Sequence, residues 1–192
     1  MNSSKRVDGA GQSQPRWLAM GSLFTAGGVL VGLNALFILL VAFGNITDFE
    51  TNQAFVHHVL SMDTANFGAP VGQGLDSAVM WHAVGSNPLQ NAAYVGIIAW
   101  ESVTMLLCWW AGVRLLKSYR ADRAQFAAAL NVAMIALTTS LLMWLVAFLD
   151  IGGEWFLMWQ SKMWNGQEEA FRMFTIVGVV FLVVVQREPT PD

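Results

Sequence analysis

The apolar and polar positions of this chain fall into long blocks rather than short alternations. Four apolar runs stand out, at 17–43, 92–113, 124–149 and 170–186. A helix needs about 20 apolar residues to cross ~30 Å of hydrocarbon. The first three runs meet that length; the fourth is shorter and is interrupted by Arg172. The pattern predicts an all-α fold, a four-helix transmembrane bundle with spans at about 17–43, 92–117, 124–149 and 170–186. Residues 17–187 form the membrane domain. Residues 1–16, polar and rich in small side chains, read as a disordered tail, and 188–192 as a second tail. The first run is too long for a signal peptide, whose apolar core covers about 7–15 residues.

A helical period reappears in the loop at 45–91. Phe55, Val59 and Met62 recur at helical spacing, opposite Glu50, Gln53 and His57. Thr47 and Glu50 fit a capping box, so a short amphipathic helix over about 48–62 is expected on the membrane surface or on the helix tops. Pro70 and Gly68, Gly72 and Gly74 mark a loop, 75–84 a second short helix, and Asn87-Pro88 a turn into the second span. In the loop at 150–169, Trp155 and Trp159 share one side if that stretch is helical. It is expected to pack on the 48–62 helix above Glu101.

Composition sharpens this picture. Apolar residues make up 55% of the chain and charged residues 12%, against about 25% charged in soluble domains. Basic residues sort by segment. Lys5, Arg6 and Arg16 precede the first span, Arg114, Lys117, Arg120 and Arg123 surround the turn between the second and third, and Arg187 follows the fourth. The 45–91 loop has no Lys or Arg, and the 150–169 loop has only Lys162. The positive-inside rule then puts both termini in the cytoplasm and both long loops outside. The basic residues are explained by topology, so no nucleic-acid partner is expected. The single cysteine, Cys108, allows no intramolecular disulfide and reads as a small buried hydrophobe.

Candidate chemistry falls in two places. Glu101 sits roughly nine residues, or about 13 Å, below the outer end of its span, where a charge costs about 2.5–3.5 kcal/mol. It must face protein or water, or be protonated. Asn34, Thr104 and Arg172 are its candidate partners, with Trp100 and Trp144 as walls. Arg172 has an alternative in Glu168, four residues before it. Gly28 and Gly32 form a small-residue motif for close helix contact. The second place is an outer-face cluster of His57, His58, Asp63, His82, Glu154, Trp155 and Trp159. His57 and His58 are adjacent, so they diverge by about 100° on a helix, unlike the i, i+4 pairs that hold zinc. No metal site is expected, and no cofactor is identified. Asn45-Ile46-Thr47 matches a glycosylation sequon.

The stretches "NITDFETNQAFVHHVLSMDT", "IIAWESVTMLLCWWAG" and "GGEWFLMWQSKMWNGQ", in that order, resemble a family of predicted small integral membrane proteins, domain of unknown function 2165. The resemblance implies a four-span protein of a bacterial inner membrane and supplies no catalytic residues. A structural or accessory subunit of a membrane complex, touching lipid and a protein partner or a second copy, is the first expectation. A redox or proton-handling protein using Glu101 and the histidines is the second, and a small transporter the third.

Overall fold

The apolar blocks fold into helices that outrun them. The computed structural model describes residues 23–118 and 123–186. Helix α1 covers Leu23–Thr47, α2 Phe49–Ser61, α3 Asn87–Ser118, α4 Arg123–Leu142 and α5 Gln167–Val185. A π-helical segment, Met143–Trp155, continues α4 without a break. No strand occurs among the described residues. Both tails, the start of the first expected span, and Lys5, Arg6, Arg16, Arg120 and Arg187 lie outside the described residues.

Among the described residues, three helices are long and apolar enough to cross a membrane: Thr25–Thr47, Asn87–Ser118 and Ala124–Trp155. Helix α5 has 19 residues but carries Glu168, Glu169 and Arg172 in its first turns, so it is not among them. The second span begins at Asn87 rather than near 92, because Pro88 falls in the first turn, where its missing N–H costs nothing. The third does not stop at Asp150. Gly152 and Gly153 lie inside the π segment, whose end is marked by Phe156 N–H donating to the Ile151 carbonyl, five residues back, at 3.0 Å. Long π segments are rare and tend to occur at functional sites.

Helices α1 and α3 pack antiparallel through glycine. A methyl group on Gly112 would lie 3.1 Å from the Gly28 carbonyl oxygen and 3.2 Å from the Gly32 nitrogen. The two backbones therefore touch, which is how small residues let helices associate in lipid. Helices α4 and α5 close the bundle around Val31, Ala35, Cys108, Ala133, Leu137 and Val177, all fully or nearly fully buried.

The two long loops fold onto each other as one cap with its own small core. Val59 of α2 and Met62, which caps it, pack against Phe156 and Met158 from the 156–166 connection. Backbone bonds stitch the pieces together: Phe67 N–H donates to Gln160 O at 3.0 Å, and Val84 N–H to Leu60 O at 2.8 Å. Buried Asn66 organises the glycine-rich loop by donating to both Pro70 O and Gln73 O at 2.9 Å. Three local expectations are corrected. The capping box does not form, because α1 runs through Thr47, whose hydroxyl bonds back to Phe43 O at 2.8 Å. Residues 75–84 hold only a 3-10 turn at Met80–His82. Trp155 and Trp159 do not share a helix face, since Leu157 takes a left-handed conformation (φ 54°) between them.

Candidate functional site

Glu101 lies on the inner face of α3, 1% exposed. Its partner is Asn45, near the end of α1. The Asn45 amide nitrogen donates to both carboxyl oxygens, at 3.0 and 2.8 Å. Asn45 is in turn fixed by Tyr94, whose hydroxyl donates to the Asn45 carbonyl at 3.0 Å and whose ring packs on Phe49. The chain Tyr94–Asn45–Glu101 thus ties the end of α1 to the cap-side half of α3. A buried polar group needs such a partner, since an unmet one costs free energy.

Of the residues expected around Glu101, Asn34 is buried but serves another junction. It donates to Cys108 Sγ at 3.3 Å and to Ser140 Oγ at 3.4 Å, joining α1, α3 and α4. Arg172 is exposed and pairs with Glu169 at 3.3 Å, three residues before it on α5. The proposed Glu101–Arg172 pair is therefore not made, nor is the Glu168 alternative. Arg172 sits in the second turn of α5, which begins at Gln167. Asn45 was missed because it reads as part of a loop after an apolar run ending at 43. The one available signal was a second amide in α1, eleven positions beyond Asn34 and so on nearly the same face.

Two buried polar atoms have no hydrogen-bond partner among the described residues: Thr104 Oγ1 and Trp144 Nε1. Thr104 follows Glu101 by three residues on the same face of α3. The Trp144 ring contacts Phe37 of α1 and Phe148 of the π segment, with centroids 6.3 and 5.3 Å away.

The outer-face residues divide into two groups. His57 Nδ1 lies 2.7 Å from Gln90 Oε1. Because Gln90 donates its amide to Val84 O at 2.6 Å, its oxygen accepts, and His57 must be the donor. His58 Nδ1 lies 2.9 Å from each Asp63 oxygen, and its ring stacks on Trp164 at 4.6 Å. In the second group, His82 Nδ1 reaches Trp155 O at 2.9 Å and its ring stacks on Trp155 at 4.4 Å, with Trp81 edge-on to both. Glu154 is exposed, and Trp159 meets Phe67 edge-on. His57 thus ties α2 to the top of α3, and the ring stacks of His58 and His82 tie the first cap loop to the second.

Among the described residues, no three His, Cys, Asp or Glu side chains converge to hold a metal ion. Titrating zinc or copper into the purified protein is expected to give no stoichiometric binding by calorimetry; a one-to-one isotherm lost in His58→Ala would contradict this reading. The crevice between His58, Met62, Phe156, Met158 and Trp164 is packed too closely to admit even a water-sized molecule, whereas ligand pockets occupy about 300–1,000 Å³.

The model of a family described as predicted small integral membrane protein (DUF2165) matches residues 24–187, and the chain belongs to that family. No curated protein and no solved structure matches it.

Proposed function

We propose that this member of the DUF2165 family is a structural or accessory subunit of a larger complex in a bacterial inner membrane. It crosses four times, with both termini in the cytoplasm and the cap outside. In this arrangement α5 is the fourth span, with Glu168, Glu169 and Arg172 at the outer interface and Met173–Val185 in the hydrocarbon. The basic residues flanking α3 and α4 and their absence from the 45–91 loop support that orientation.

One observation carries the reading: the cap is a packed body whose polar side chains brace it while large apolar side chains remain on its surface. His57 bonds to the top of α3 and His82 to the Trp155 carbonyl, while His58 bonds to Asp63 just past its own helix and stacks on Trp164. Trp81 is 71% exposed and Met163 77% exposed, with Phe67, Val71, Trp155 and Trp159 also on the surface. Exposed apolar patches on an ordered surface mark interaction sites. Affinity isolation of the tagged chain from its own membranes in mild detergent tests this. The expected result is one partner protein at fixed stoichiometry, lost in a Trp81→Ser/Met163→Ser variant that still folds. Recovery of the chain alone, at the size of one copy plus detergent, would refute the subunit reading.

A redox or proton-handling role keeps one point in its favour, the burial of Glu101 among polar side chains. A bound cofactor with its own absorbance in the isolated protein would favour it.

A further inference from the structure

The bundle contains a column of buried polar side chains with one layer out of balance. Asn34, Cys108 and Ser140 meet in one layer and fix the register of α1, α3 and α4. One helical turn toward the cap, that register brings Ile38, Thr104 and Trp144 to a common level. The contact of Trp144 with Phe37, next to Ile38, agrees with this, and α3 touches the π segment. Thr104 is 0% exposed and Trp144 6% exposed, yet neither Thr104 Oγ1 nor Trp144 Nε1 has a partner among the described residues. The next level toward the cap belongs to Glu101. One Asn45 amide nitrogen meets both of its oxygens. A carboxyl group has about four lone-pair sites in its ionised form, so most of its capacity is open.

We infer that this layer binds a water molecule between Trp144 Nε1, Thr104 Oγ1 and the Glu101 carboxyl group. The chemistry selects the ligand. The indole N–H is a donor only, so the ligand must offer it a lone pair, which a metal cation does not. The Glu101 carboxyl group calls for a donor in return. Water does both, and three polar partners is the usual number for a buried water. With it in place, hydrogen bonds run from Tyr94 at the cap through Asn45 and Glu101 to the level just above Asn34. Below that, α1 and α3 close on each other at Gly112, where an added methyl group would already lie 3.1–3.3 Å from backbone atoms of Gly28 and Gly32.

A double-mutant comparison and a labelling experiment test this. In the wild-type background, Thr104→Val removes one support of the water and leaves the indole N–H unmet, so the unfolding midpoint falls. In the Trp144→Phe background the same change is expected to be neutral or to raise the midpoint. An equal rise in both backgrounds would mean that the two groups are independent and would overturn the inference. X-ray hydroxyl-radical footprinting in ¹⁸O water separates a bridging water from a direct contact. The expected result is oxidation of buried Trp144 with slow uptake of the heavy label, reduced in Thr104→Val. Coupled midpoints with no labelling of Trp144 would mean a direct bond between the two side chains and no water. Should either variant fail to fold, footprinting of the wild-type chain decides alone.

Discussion

Replacing Asn45 with leucine is expected to destabilise the protein by about 2–4 kcal/mol. The change removes both hydrogen bonds to Glu101 and leaves a carboxyl group that is 1% exposed without its partner. Removing one member of a buried polar pair costs more than the pair contributes, since the survivor keeps its desolvation penalty. The double variant Asn45→Leu/Glu101→Leu should therefore recover much of the loss. Tyr94→Phe, which gives up one bond to the Asn45 carbonyl, should cost only about 1 kcal/mol. Unfolding midpoints of the three variants against wild type in one detergent give all three values. An Asn45→Leu variant as stable as wild type would mean that Glu101 is held by something else.

The crossing of α1 and α3 gives the second large effect, and an asymmetry within it. Gly112→Ala should cost about 1–3 kcal/mol, because the new methyl group meets backbone atoms of α1, which cannot rotate away. Gly112→Val should go further and abolish the folded bundle. Gly28→Ala meets the Leu116 side chain and its backbone nitrogen, and should also be costly. Gly32→Ala should be neutral or stabilise by up to about 1 kcal/mol: a methyl group there finds open space, and alanine is the better helix former. Equal losses from Gly32→Ala and Gly112→Ala would contradict the crossing geometry. The Gly28-x-x-x-Gly32 motif was plain in the sequence. That Gly112, with no motif around it, is more sensitive than Gly32 follows only from which backbone it faces.

Several features were legible for physical reasons. Long apolar blocks and the helical spacing of Phe55, Val59 and Met62 report burial directly, so α1, α3, α4 and α2 could be placed. Asn34 could be read as helix–helix glue because an amide in hydrocarbon must find a partner; which partner was a matter of register, and it proved to be Cys108 and Ser140. Glu101 could be read as buried in the same way, but its link to Asn45 depends on α1 running on through Thr47, beyond the apolar run that ends at 43. Arg172 was misplaced because depth was counted from the start of an apolar run. Glu168, Glu169 and Arg172 in fact lie exposed in the first turns of α5, with Arg172 paired to Glu169. The π segment leaves no mark in hydrophobic periodicity. The cap depends on left-handed Met62, Phe67 and Leu157, non-glycine residues whose positive φ is imposed by tertiary packing and cannot be read from residue type.

The central claim is that the cap is an ordered platform covered by a partner in the native membrane. Hydrogen–deuterium exchange, compared between native membranes and purified protein, tests it most directly. Amides bonded across the cap, such as Phe67 to Gln160 and Val84 to Leu60, should be protected in both preparations. Peptides carrying Trp81 and Met163 should gain protection only in native membranes. Cap amides that exchange within seconds in both preparations would contradict the account.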